Sequence, residues 1–152
     1  MENFNTILLL FWILILAFCF AKVEINVEGD KGWAGGLPTW RIEKHWLLDV
    51  FWGGRPLTGY HVWVFSFIIL LFHTAFFFGC GWSMKLEAKI IASLMIFGIV
   101  EDFLWFILNP YYGLRKFSKK DIPWHSHRWS IFMPTDYWIF LTAAALLFWY
   151  SN

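Results

Sequence analysis

Four apolar runs decide what this chain can fold into. They cover about residues 4–21 ("FNTILLLFWILILAFCFA"), 60–79 ("YHVWVFSFIILLFHTAFFFG"), 86–108 (opening "LEAKIIASLMIFGIV") and 134–151 (around "DYWIFLTAAALLFWY"). A helix needs about 20 mostly apolar residues to cross the hydrocarbon, with about 17 as the lower end. The fourth run reaches that length with Pro134 and Thr135 at its start, where proline suits a first helical turn. The expectation is an all-α, polytopic membrane protein, a four-transmembrane-helix bundle forming a single domain over residues 1–152. Composition agrees. Hydrophobic residues make up 59% of the chain and charged residues 15%, against about 25% charged in soluble domains. The 18 Phe, 12 Trp and 5 Tyr are more ring surface than one soluble core of this size hides. The first run reads as a retained helix, because "MENFN" has no Lys or Arg and "FCFA" lacks the small residues of a signal cleavage site.

Orientation follows from Lys and Arg in the loops. Residues 22–59 contain five, Lys22, Lys31, Arg41, Lys44 and Arg55, and residues 110–133 contain five, Arg115, Lys116, Lys119, Lys120 and Arg128. The turn between the second and third runs has Lys85, and the terminal segments have none. Both large loops are therefore expected in the cytoplasm and both termini outside. Within the first loop, "TWRIEKHWLLDVFW" reads as an amphipathic interfacial segment with tryptophans at headgroup depth. A net charge of +1 implies no nucleic-acid surface. Cys19 and Cys80 form no metal pattern and read as unpaired.

The stretch "EDFLWFILNP" puts two adjacent carboxylates, Glu101 and Asp102, near the inner end of the third run. Ionisable residues inside spans usually face a bundle interior and mark function. Asp102 and Asn109, seven apart, share a helical face. Asn109 also reads as a helix stop, since a residue before proline disfavours helix. On the second run, His61 sits at the inner edge. His73 lies roughly 18 Å further along the axis, within about a turn of the height of Glu101. "DIPWHSHRW" presents His125 and His127 between Trp124 and Trp129. With His45 and Asp136, all of these groups except His73 crowd one side, while the outer turn "GCGWSMK" has no acid or histidine.

Zinc, iron and manganese accept imidazole nitrogen and carboxylate oxygen together. The expected ligands of such a divalent metal are His125, His127, Glu101 and His73. Glu101, Asp102 and His61 are the expected catalytic groups, and Asn109, Arg115, Trp124 and Asp136 the substrate-binding ones. Arg115, in "YYGLRKFSKKD", would meet an anionic headgroup. This describes a small metal-dependent enzyme acting on a lipid-like substrate at the cytoplasmic face, with membrane lipid around it. Ser126 lies in "HSH" and not in a nucleophile elbow. Two other classes use the same residues. One is a transport or ligand-binding bundle with a buried acid–histidine relay for protons or cations, which so few helices would favour as a homo-oligomer. The other is an accessory subunit whose rings contact a larger membrane partner.

Overall fold

The computed structural model describes residues 6–79, 81–125 and 128–152. Helices form at each apolar run: α1 (Thr6–Glu28), α3 (Gly59–Phe72), α4 (Met84–Leu108) and α5 (Thr135–Ser151), with a short α2 (Trp46–Phe51) in the first loop. A single 3₁₀ turn, His73–Phe76, prolongs α3. Among the described residues, three helical segments are long and apolar enough to cross a membrane: Thr6–Glu28, Gly59–Phe76 and Met84–Leu108. The helices are apolar all round and lack the polar outer face of a water-exposed helix. Ile7, Phe11, Trp12, Trp63, Leu70 and Trp149 all point outward. So much exposed apolar surface suits lipid and not water.

The long helix α4 is central. Of its apolar window 44% is buried, against 17% for α1 and for α3 with its 3₁₀ turn. The face α1 buries runs Ile13, Ala17, Ala21, Ile25 in steps of four. Its two alanines let backbones approach, which is how helices pack without a hydrophobic drive between them. Ile13 and Ala17 meet Ile68 and Phe97, while Ala21 and Ile25 meet Trp105 and Phe106. These contacts make α1 and α4 run parallel. α3 runs against them, and so does α5, whose Tyr137 reaches Asp102 and whose C-cap, Asn152, accepts from Lys89 at 3.1 Å. Thr6 also donates to Asn152, at 3.3 Å. The first and last described residues therefore share one end of the bundle. Hydroxyls within the apolar helices bond back to their own turn, as Ser66 does to Val62 and Ser93 to Lys89.

The loops depart from expectation. Helix α1 continues past Ala21 by two turns and stops at Gly29, which takes a left-handed φ of +65° and donates to the Ile25 carbonyl at 3.0 Å. The expected continuous amphipathic segment at 39–52 is split. Its start is extended: β1 (Arg41–Ile42) pairs antiparallel with β2 (Leu57–Thr58), and only Trp46–Phe51 is helical. The cause is local. Gly59 N donates to the Trp40 carbonyl and Tyr60 N to Thr39 Oγ1, both at 3.0 Å, which pins residues 39–40 to the start of α3. A Cβ at residue 59 would fall 2.5 Å from the Trp40 indole nitrogen, so only glycine permits this approach. A second two-residue ladder, β3 (Trp129–Ser130) with β4 (Met133–Pro134), leads into α5. The fold is thus helical with two minimal two-stranded ladders, of which β3–β4 is a hairpin.

Candidate functional site

The end of the bundle opposite Thr6 and Asn152 gathers buried and half-buried polar groups from every long helix. From α1 come Glu24 and Glu28, from α3 Tyr60 and His61, from α4 Glu101, Asp102 and its C-cap Asn109, and from α5 Asp136 and Tyr137. The loops add Trp33, Arg55 and His125.

Three linked sets make up the cluster. In the first, Tyr60 OH donates to Glu24 Oε1 at 3.0 Å, and the Glu101 carboxyl is the neighbour of the Glu24 carboxyl. In the second, Glu28 Oε1 accepts from Ala34 N at 2.5 Å and lies 3.9 Å from His61 Nε2. His61 Nδ1 is 2.7 Å from Thr58 Oγ1, which also caps α3, and Trp33 stacks on the imidazole at 4.2 Å. In the third, Asp102 Oδ2 accepts from His125 Nε2 at 3.0 Å and from Tyr137 OH. Arg55 Nη1 approaches His125 Nδ1 at 3.5 Å. With Arg55 as donor there, Nδ1 is the acceptor and the ring proton sits on Nε2, facing Asp102. Arg55 also binds Asp136, donates to the Trp52 carbonyl at 2.9 Å and lies 5.1 Å over Trp33.

The two loops roof the cluster. Trp33 and Ala34 both have left-handed backbones, φ +46° and +53°, a conformation costing non-glycine residues about 1–3 kcal/mol. That turn aims Ala34 N at Glu28, and Arg41 Nη1 bonds the Ala34 carbonyl at 2.9 Å. Gly32, at φ +54°, passes under the Trp124 ring, where a Cβ would collide. Asn109 ties α4 to the end of α1: its Nδ2 donates to the Gly29 carbonyl at 2.8 Å and its Oδ1 accepts from Tyr111 N at 3.0 Å. Tyr112 OH donates to the Asp30 carbonyl at 2.9 Å. Its burial, with Asp30 and Glu28 nearby, holds this phenol above its ordinary range, so it stays a donor.

These positions modify the expected site. Asp102, Glu101, His61, His125 and Asp136 come to one end, but through different partners. His73 does not join them: its Nε2 meets Glu87 at 3.2 Å near the start of α4. Fourteen residues separate Glu87 from Glu101, about 21 Å of helix. The expected equal heights took both depths from a common floor. In fact α3 begins level with Glu101 and α4 projects beyond it, so His61 is the histidine near the acids and His73 is about four turns away. Asn109 has both side-chain groups engaged with backbone, as a clamp. Arg115 is exposed in the 3₁₀ turn Leu114–Lys116. His45 caps α2, its ring accepting from Leu47 N at 3.3 Å, and is exposed. Trp124 stacks on Phe106, centroids 5.9 Å apart, and works as packing. His127 and Cys80 lie outside the described residues, and Cys19 is exposed. Among the described residues, no three His, Cys, Asp or Glu side chains are gathered as metal ligands.

Glu24, Glu28, Tyr60, Arg55 and Tyr137 were not anticipated in the site. A signal for the first two exists. The buried stripe Ala17, Ala21, Ile25 carries the helical period through Lys22 up to Gly29, and Glu24 and Glu28 fall on its edge. Protein-family models, curated proteins and solved structures were compared with the chain, and none matches.

Proposed function

We propose that the chain is a multi-pass membrane protein of the transport or ligand-binding class, whose polar cluster binds and passes protons or a small cation. In this reading α1, α3, α4 and α5 all cross the bilayer as one domain over residues 1–152. Helix α5, 17 residues, is at the short end of what can span. The positive-inside rule, applied to the basic loops, supports a cytoplasmic cluster with the termini outside. Four helices are few to enclose a path, which favours a homo-oligomer in lipid.

One observation carries the reading. Four carboxylates from two parallel helices, the buried Glu24, Glu28 and Glu101 and the half-buried Asp102, come to one end of the bundle and are answered by tyrosine, histidine and backbone groups. Burying carboxylates in a membrane bundle is costly and marks proton or ion pathways. The relay is supported better than metal-assisted lipid chemistry, because the supposed ligand His73 is at the other end.

Thermal unfolding of the purified full-length protein in detergent tests this. A ligand that binds only the folded state stabilises it by RT ln(1 + [L]/Kd). Acidification or addition of sodium, potassium or calcium is expected to raise the unfolding temperature saturably, and Glu101→Gln to abolish that response. A response confined to zinc, iron or manganese and lost in His125→Ala would restore the metal-dependent enzyme. Absence of any Glu101-dependent response contradicts the relay.

A further inference from the structure

Glu101 is only 9% exposed, and its Oε1 is buried with no hydrogen-bond partner among the described residues. Its carboxyl neighbour is that of Glu24. Ionised carboxylates are acceptors only and repel each other, so two neighbouring buried ones, one with an unpartnered oxygen, need a cation between them, of which a proton is the smallest. The surrounding charges sharpen the point. Glu28 on α1 and Asp102 on α4 add negative charge beside the pair. The nearby cations answer other acids: Arg41 pairs with Glu43 and Arg55 with Asp136. His61 faces Glu28, while His125 and Tyr137 are bound to Asp102. Among the described residues, the pair is left with one donor, Tyr60 OH to Glu24. Tyr60 also lines an open cleft of about 520 Å³ between residues 37–40 and the start of α3, walled by Trp40 and Trp63.

We propose that the Glu24–Glu101 carboxyl pair holds a single exchangeable proton and that Tyr60 connects the pair to this cleft. The proposal deepens the relay reading by naming its cargo and its entry. Exchange balances at Tyr60: the phenol passes its proton to Glu24 while its oxygen takes one from hydronium in the cleft. Two O–H bonds break, at the phenol and at hydronium, and two form, at Glu24 and at the phenol, leaving water in the cleft and the phenol unchanged. The proton leaves by the reverse sequence.

Infrared spectroscopy of the full-length protein in detergent at neutral pH reads the proton directly. Wild type is expected to show a protonated-carboxyl C=O band that shifts in D₂O. Glu24→Gln and Glu101→Gln are each expected to lose the whole band, because the glutamine amide supplies the missing hydrogen and leaves the remaining carboxyl ionised. Tyr60→Phe is expected to keep the band, shifted, and to slow its hydrogen–deuterium exchange at least several-fold. Absence of the band in folded wild type, or its survival in both Gln variants, overturns the proposal; the wild-type arm stands even if a variant fails to fold. A band that disappears on adding sodium at constant pH assigns the pair to a metal cation and also overturns it. An unshifted exchange rate in Tyr60→Phe overturns the Tyr60 connection. The cation and acid response of thermal unfolding reads ligand binding separately. A missing band with that response intact therefore removes the acid-pair assignment alone.

Discussion

Arg55 joins three parts of the roof, so replacing it with methionine tests how the cluster is held. The side chains of Arg55 and Asp136 are 16% and 15% exposed. Removing one partner of a buried pair typically costs about 3–5 kcal/mol, because the other charge stays behind without compensation. Two further losses add to this: the hydrogen bond to the Trp52 carbonyl and the contact over the Trp33 ring, the second worth about 0.5–2 kcal/mol. Arg128 Nη1 lies 3.9 Å from Asp136 Oδ1 and offsets part of the loss. The expected cost of Arg55→Met is therefore near the lower end, about 3 kcal/mol. Asp136→Asn alone leaves Arg55 its other partners and is expected to cost less. The double variant Arg55→Met/Asp136→Asn leaves no stranded charge, so the pair should be non-additive by about 2 kcal/mol, within the 0.5–3 kcal/mol found for contacting residues. Unfolding in mixed micelles with increasing denaturing detergent measures all four corners of the cycle. A cost for Arg55→Met below about 1 kcal/mol, or additive single variants, would refute a buried, mutually dependent pair.

Gly32→Ala places a Cβ against the Trp124 ring at a left-handed φ and is expected to lower stability by more than about 1 kcal/mol, read as a fall in unfolding temperature. Ala34→Gly relieves a left-handed alanine at φ +53°, about 1–2 kcal/mol. It also removes a fully buried methyl worth about 0.8 kcal/mol and frees the unfolded chain by about 0.4–1 kcal/mol. Stability should therefore change by less than about 1 kcal/mol in the same assay, with the Glu28 contact kept. Phe106→Ala empties a fully buried position ringed by Trp105, Tyr112, Phe117 and Trp124 and should cost about 3–5 kcal/mol; no loss in detergent unfolding would contradict that packing. His73→Ala lies about four turns from Glu101 and is expected to leave the Glu101-dependent acid or cation response of thermal unfolding unchanged.

How much of this was legible in the sequence differs between helices and loops. Long, all-round apolar runs fix helices by length and hydropathy alone, and α5 begins at Thr135, within a residue of its expected start. Phase along one helix was also readable, because it depends only on the 3.6-residue period. Relative height between helices was not. It depends on where α3 starts against α4, and that is set by backbone bonds from Gly59 and Tyr60 to a loop forty positions into the chain. The same limit hid Glu24 and Glu28. Lys22 looked like the end of a span, yet the buried stripe of α1 runs on to Gly29. The adjacent carboxylates Glu101 and Asp102 find their neighbours far away in sequence: Asp102 in His125 and Tyr137, and Glu101 in Glu24. Such pairings follow from packing, and no local pattern in "EDFLWFILNP" encodes them.

The claim that the cluster carries protons or a small cation is tested most directly by flux. Full-length protein reconstituted into liposomes with an enclosed pH-sensitive dye would be given a pH gradient, with and without sodium or potassium. The account predicts that the gradient decays faster than in empty liposomes, and that Glu101→Gln, folded and inserted equally well, returns the decay to the empty-liposome rate. Decay equal to empty liposomes for the folded wild type, or unchanged decay in Glu101→Gln, would contradict it.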